Sequence, residues 1–242
     1  MAADLPKKIS VIVPCYNEEE NLRRLFPDLL PRLRGLGCEL ELVLVDDGSK
    51  DGTFHAMGDL VKKHPFIKIF RHSKNLGLGA TLRTGFSLAS GDAVVTLDSD
   101  MTFHPDEIPR LLAAYGPRVD CVMGSAFTGR MQGVHPVRRL LSWGVNWIYG
   151  RLLGKNFTAV SAVFRLYRAS ALKALKLQSN SFDINAEILY KLLASGAGVV
   201  EVPVTLGRRA YGVSKINVQR EIRNHLKMFF RIMKWKLGSS IS

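Results

Sequence analysis

Cysteine is scarce: Cys15, Cys38 and Cys121 are the only three in 242 residues, and none is close to another. An odd, scattered set supplies neither a disulfide framework nor a zinc site and points to a reducing compartment. Long apolar runs are also missing. No stretch approaches the roughly 18 uninterrupted apolar residues of a membrane-spanning helix. The opening MAADLPKKIS lacks the apolar centre of a secretory leader, so secretion is not expected. There is no solenoid-like repeat, low-complexity tract or Pro/Gly/Ser-rich linker, which argues for one continuous domain. Acidic residues are outnumbered, 21 against 34 Lys and Arg, for a net charge of +13. Such an excess suits a basic soluble surface, nucleic acid, anionic lipid or phosphorylated ligands, and its distribution must decide. No recognised nucleic-acid motif accompanies it. A composition of 47% hydrophobic and 23% charged residues is that of a globular protein.

What is present is alternation. KISVIVPCY reads as a buried strand ended by Pro14. NEEENLRRLF follows as a helix capped by Asn17, whose later part Pro27 and Pro31 blur. CELELVLVDDGSKDGT is a second strand running into an acidic, Gly-rich loop; FHAMGDLVKKH is a helix and FIKIFRH a third strand. The SKNLGLGATLRTGFSLASG segment enters a helix through glycines, DAVVTLDSD is a fourth strand, and HPDEIPRLLAAY opens a helix with Pro105 in its first turn. Beyond it, DCVMGSAF, SAVFRLY and GVVEVPVTL read as strands, and 135–154 and FDINAEILYKLLASG as helices. This pattern predicts an α/β fold with a largely parallel, Rossmann-like sheet covered on both faces. Ligands of such sheets sit at the carboxyl ends of the strands. The polar loops Pro14 to Glu18, Asp46–Asp47 and Asp98–Asp100 all fall there.

Each loop has a chemistry and a plainer alternative. Glu18 can accept hydrogen bonds from a base or ribose, or belong to a Pro-terminated strand and helix cap. Asp46 and Asp47 suit ribose hydroxyls and base N–H groups, or an Asp/Gly/Ser turn. NLGLGATL is not a dinucleotide fingerprint, since Leu82 stands where the third glycine should be and the third strand precedes it. Arg83 reads equally as structural or phosphate-facing. On an extended chain Asp98 and Asp100 would share one side, as hard oxygen ligands for a divalent cation that is also held by substrate phosphate.

Taken together and in order, VIVPCYNEEENL, LVLVDDGSKDGT, NLGLGATLRTGF and VTLDSDMTFHPDEIP resemble a family-2 glycosyltransferase of the GT-A fold. SWGVNW, FRLY and RRAYGVSK resemble more narrowly the dolichol-phosphate mannosyltransferase group, which transfers sugar to polyprenyl phosphates. The resemblance runs from about residue 8 to residue 216 and implies a catalytic domain over 1–216, followed by a basic helix and tail over 217–242.

The resemblance implies an inverting, metal-dependent enzyme. It would move a hexose, mannose or similar, from GDP-mannose or a UDP-sugar to dolichyl or undecaprenyl phosphate. Donor contacts fall by motif position on Pro14, Tyr16, Glu18, Leu44, Asp46, Asp98, Ser99, Asp100, Arg209 and Lys215. Mg²⁺ or Mn²⁺ falls on Asp98, Asp100 and Thr102, with Asp100 foremost and Thr102 standing where the family often has a stronger polar ligand. Asp98, Asp100, Arg209 and Lys215 carry the catalytic role; Arg138, Arg139, Ser142 and Ser214 lie near the acceptor phosphate. Two departures stand out: Ala126 replaces a usual Arg, and Ala159 a usual Asp, with Ala162 at a usual Gly. They bear on the choice of sugar or acceptor more than on the fold. A hydroxyl acceptor would instead need a base, for which Asp183 and Glu187 are candidates. The remaining alternative is a non-catalytic nucleotide or nucleic-acid binding protein.

The C-terminal helix carries Val218, Ile222, Leu226, Phe229, Phe230, Met233 and Leu237 on one stripe, with Arg220, Arg223, Lys227, Arg231 and Lys234 opposite. It suits a membrane interface, or packing on its own domain or a partner. Residues 135–154, with Trp143, Trp147 and Tyr149, read equally as interfacial or core. The expected setting is peripheral, on the cytoplasmic face of a membrane, with an anchoring partner or a second copy conceivable and no nucleic acid.

Overall fold

The computed structural model describes residues 6–134, 136–209, 211 and 218–238. Seven strands, β1 (Lys8–Cys15), β2 (Glu39–Asp46), β3 (Ile67–Arg71), β4 (Ala93–Thr96), β5 (Cys121–Met131), β6 (Arg165–Arg168) and β7 (Val199–Leu206), form one sheet in the order β3-β2-β1-β4-β6-β5-β7. β6 runs antiparallel to β4 and β5, and the other pairings are parallel. The chain winds outward from β1 to β3, then crosses back so that β4 lies on the other side of β1. That reversal opens a crevice at the carboxyl ends of β1 and β4.

Alternation on the central strands decides which helices lie where. Val11, Val13, Leu42 and Leu44 face one core, shared with Phe26 and Leu33 of α1 (Glu19–Arg34), Met57 of α2 (Thr53–Lys63) and, after α3 (Leu78–Leu88), Leu111 of α4 (Ile108–Ala113). Ile12, Val43 and Val45 face the other, shared with Leu82 of α3, Tyr149 of α5 (Pro136–Leu153), Leu172 of α6 (Ala169–Lys173), Ile188 of α7 (Ile184–Ala194) and Met228 of α8 (Val218–Lys236). Both faces are thus buried, which explains the near-continuous apolar runs.

Three local readings change. α1 continues past Pro27 and Pro31. Each proline costs about 3 kcal/mol in a helix interior, and burial of Phe26, Leu29, Leu30 and Leu33 opposes that cost. Asn17 does not cap α1. It sits at φ 53°, its N–H donates to Ser49 Oγ at 2.8 Å, and its Oδ1 accepts from Lys50 N at 2.8 Å. Asp98 to Met101 is not extended: β4 stops at Thr96, Met101 takes φ 54°, and its N–H donates to the Asp98 carbonyl at 3.3 Å.

α8 separates three faces that the sequence pattern had divided into two. Met228 and Ile232 are buried, and Trp235 stacks on Tyr190 of α7 with ring centroids 5.3 Å apart. Ile222, Leu226, Phe230, Met233 and Leu237, the body of the expected apolar stripe, remain exposed. At roughly 100° per residue the cations lie beyond them.

At the amino end of the sheet, far from the crevice, Glu41 is buried. It accepts from Ser10 Oγ (2.6 Å), Ser90 N (2.8 Å) and Ser90 Oγ (2.7 Å), and pairs with Lys68 Nζ at 2.5 Å. Burial opposes its charge, but Lys68 and the serine donors prevail and hold the pKa down at about 2. A depressed carboxylate stabilises the fold above its unfolded pKa and loses that contribution as pH falls towards its folded one. Glu41→Gln is therefore expected to cost roughly 2–4 kcal/mol at pH 7. In urea unfolding from pH 7 to 3, its deficit against the native chain should shrink below about pH 4.5; a pH-independent deficit contradicts this account.

Candidate active site

A cavity of about 1040 Å³ occupies the crevice. Its sheet side is built from loops that follow parallel strands. β1 contributes Pro14 near its end and is followed by Tyr16 and Glu18; after β4 come Asp98, Ser99, Asp100 and Thr102. The turn at Met101 aims Asp100 back on its own loop: Asp100 Oδ1 accepts from Thr102 N at 3.0 Å and Thr102 Oγ1 at 2.9 Å. Its Oδ2 lies 2.5 Å from Arg209 Nη2, beyond the end of β7. The loops are laced together, since Gly207 N donates to the Thr102 carbonyl at 2.7 Å and Phe103 bridges Leu206.

Two expected donor residues stand elsewhere. The Leu44 side chain is wholly enclosed in the core, among α1 and α2 partners, because its strand position points to that face. Asp46 is also enclosed and does not line the cavity: Oδ1 accepts from Ser49 N at 2.9 Å and Oδ2 lies 3.1 Å from Arg71 Nε. Asp47 reaches the cavity wall but is occupied. It accepts from Leu76 N and Gly77 N, each at 2.8 Å, and meets His72 Nδ1 at 2.8 Å. Asp47 thereby holds the Gly77 loop. Gly77 itself has φ 94°, and a Cβ there would lie 2.2 Å from the Asn180 carbonyl, so only glycine fits. Arg83 donates to the Ser179 carbonyl and Asn180 Oδ1, which settles it as structural.

The opposite wall comes from helices. Arg139, Ser142 and Asn146 of α5 line it, as do Arg220, Glu221 and His225 of α8. Ser214 and Lys215 lie outside the described residues, as does the side chain of Arg138. Arg139 and Ser142 thus share one cavity with Asp98 and Asp100. Glu221, buried, accepts from Ser181 Oγ at 2.7 and 2.8 Å. His225 Nδ1 lies 3.2 Å from Tyr149 Oη, and burial lowers its pKa against the opposing pull of Asp183 and Glu221. The sequence pattern missed Asn146, Glu221 and His225. They lie on helix faces whose partner only the tertiary fold supplies; Asn146 falls within SWGVNW, but no motif marks Glu221 or His225.

Neither candidate base for a hydroxyl acceptor lines the cavity. Glu187 accepts from Gln178 N and Ser179 N and pairs with Lys191 Nζ at 2.9 Å, contacts that lower its pKa although burial alone would raise it. Asp183 is buried, and that burial raises its pKa. Ala126 and Ala159 both line the cavity, each beside one member of the Ser125–Thr158 hydroxyl pair at 2.5 Å. Glu201 fixes that loop by accepting from Thr158 N (2.8 Å) and Ala159 N (2.7 Å).

The donor set suits a hard divalent cation. Asp98 and Asp100 supply carboxylates on one turn, and Thr102 a hydroxyl. Among the described residues no cluster of three His, Cys, Asp or Glu forms a complete cage. Two carboxylates with the remaining positions left to substrate phosphate and water is an arrangement such ions accept.

The glycosyl transferase family 2 model matches residues 10–176. Dolichol-phosphate mannosyltransferase of Pyrococcus furiosus is 37% identical over 235 residues, covering 95% of this chain; the chain spans 64% of that protein's length. Undecaprenyl-phosphate mannosyltransferase of Micrococcus luteus is 32% identical over 218 residues, 87% of this chain and 88% of that protein. Glucosyl-3-phosphoglycerate synthase from Mycobacterium tuberculosis, crystallised with Mn²⁺, UDP-glucose and phosphoglyceric acid, superposes with a TM-score of 0.69 at 20% identity, over 93% of this chain and 80% of that one. A second mycobacterial structure superposes with a TM-score of 0.71 at 19% identity, over 98% and 76%. At that identity the structures establish the shared GT-A type fold. The family match over most of the chain and two relatives above 30% identity establish more: this chain belongs to glycosyl transferase family 2.

Proposed function

We propose that this chain is an inverting transferase that moves a hexose from a nucleotide-diphosphate sugar to a polyprenyl phosphate at a membrane surface. One observation carries the reading. The cavity lined by Tyr16, Asp98 and Asp100 is also lined by Arg139 and Ser142 of α5, a helix whose adjoining face exposes Leu140, Trp143 and Trp147. The relatives named for dolichol and undecaprenyl phosphate support it, as does the Mn²⁺ and UDP-glucose bound by the structural neighbour. GDP-mannose and UDP-sugars are both candidate donors.

In this reading Pro14, Tyr16, Glu18 and Ser99 border the nucleotide, and Asp98 and Asp100 face its diphosphate. A Mg²⁺ or Mn²⁺ held there would neutralise charge on the departing nucleoside diphosphate. Arg209 adds positive charge on the same side, a role that the resemblance also gives Lys215. Arg139 and Ser142, with Arg138 and Ser214, hold the acceptor phosphate. One of its oxygens forms the new bond to the anomeric carbon as the bond to the diphosphate breaks on the opposite face. A phosphate is already anionic near neutral pH, so positioning rather than a strong base is required. The occupied state of Glu187 and the place of Asp183 away from the cavity agree with this.

The membrane proposal rests on surface chemistry. No helix of the described residues is long and apolar enough to cross a bilayer. Yet α5 and α8, which pack together, expose Leu141, Trp143 (55%), Ile148, Leu226 and Phe230 (67%) beside Arg151, Arg223 and Lys227. Apolar groups entering the headgroup boundary with cations beside them suit anionic lipid on a cytoplasmic face.

Asp100→Asn is expected to lower kcat/KM by roughly 10²–10³ and to abolish the metal-dependent thermal shift caused by donor nucleotides; an undiminished shift would sink the site assignment. Arg139→Ala should raise the acceptor KM several-fold and leave donor affinity intact. In vesicle flotation with 30% phosphatidylglycerol, Leu226→Glu/Phe230→Glu should lose most of the binding that the native chain shows. Equal flotation, or a native chain that forms a dimer dispersed by the same changes, assigns the stripe elsewhere.

A further inference from the structure

The Asp100 carboxylate already has a counter-ion. Arg209 Nη2 stands 2.5 Å from its Oδ2, with the arginine 29% and the aspartate 8% exposed, and its Oδ1 is taken by Thr102. A carboxylate this buried is costly to leave unpaired, so the guanidinium stabilises the loop in the chain without ligand. The oxygen it holds is also one that a divalent cation would need. A guanidinium and a dication held against one oxygen repel each other strongly at low dielectric, so each weakens the other's hold on Asp100.

We propose that Arg209 and the divalent cation are alternative counter-ions of Asp100, exchanged when the donor binds. This rests on the reading of the Asp98–Asp100 loop as the metal and diphosphate site. The diphosphate makes the exchange favourable, since it offers the displaced guanidinium a planar, two-pronged anionic partner. Arg209 is a positioning residue in this scheme: it keeps the loop formed while empty and moves onto the diphosphate when the site fills. Metal alone must break the Arg209–Asp100 pair without bringing an anion to the guanidinium and therefore binds weakly. Metal and nucleotide each ease the other's entry, a reciprocal coupling.

The test is Mn²⁺ titration of the full chain, followed by electron paramagnetic resonance of the free ion, with and without GDP or UDP. Arg209→Gln is expected to bind Mn²⁺ alone roughly tenfold more tightly than the native chain. It should bind the nucleotide more weakly in saturating Mn²⁺, so that the coupling factor falls towards one. Arg209→Lys, which keeps the charge without the planar fork, should lie between, and its thermal melt controls for folding. Unchanged or weaker Mn²⁺ binding in a folded Arg209→Gln overturns the exchange. Asp100→Asn separates the two failures. If the native chain binds Mn²⁺ through Asp100 and Arg209→Gln does not tighten it, only the exchange fails. If neither the native chain nor Asp100→Asn binds Mn²⁺, with or without nucleotide, the metal reading fails and the exchange with it.

Discussion

A parallel sheet buried on both faces has room for polar chemistry only at the ends of its strands, and everything else in this molecule depends on that constraint. β1 lies between β2 and β4, with α1 and α2 on one face and α3 on the other. Its interior is apolar throughout apart from Ser10, which is bound to Glu41. Ligand-facing groups are consequently pushed to the carboxyl edge, and the reversal of winding between β1 and β4 leaves a crevice there. The Tyr16 and Asp98–Asp100 loops meet because their strands are neighbours, although about eighty residues separate them in the chain.

The opposing charges at that edge form a balanced set. A basic chain has no difficulty attracting phosphates, but it must keep its few acidic residues from being neutralised wherever a cation is to be held. Asp46 and Asp47 are committed to structure, through Arg71 and Ser49 in one case and His72 and the Gly77 loop in the other. Asp98 and Asp100 line the cavity wall, and Asp100 pairs there with Arg209. The alanines at 126 and 159 line the same cavity, where Ser125, Thr158 and Glu201 hold their loops in shape.

α8 divides its residues among three surroundings. Met228, Ile232 and Trp235 tie it to α7, Glu221 and His225 reach the cavity, and a separate apolar face beside α5 stays outside. The cavity's far wall and the exposed apolar residues thus belong to the same two helices.

Much of this was legible in the linear chain. β-branched runs ending in Pro14, Asp46 and Asp98 determine a parallel sheet with polar strand ends, since such runs are satisfied only by burial on both faces. The ordered motifs determine the family. The side on which each carboxylate lies was not legible. Asp46 closes β2 away from the cavity while Asp47, just past the strand, reaches its wall, and Asp98 and Asp100 lie on a turn rather than an extended chain. Nor could periodicity tell which of the three faces of α8 meets the core, because that depends on the position of Tyr190 and the α5 surface. The sequence by itself determined the elements, their alternation and the chemistry of the strand-end loops, because those follow from local burial and turn preferences. Only the tertiary structure decided that Arg209 pairs with Asp100 and that α5 and α8 close the far wall, because those contacts join residues whose distance is set by the packing of the whole sheet.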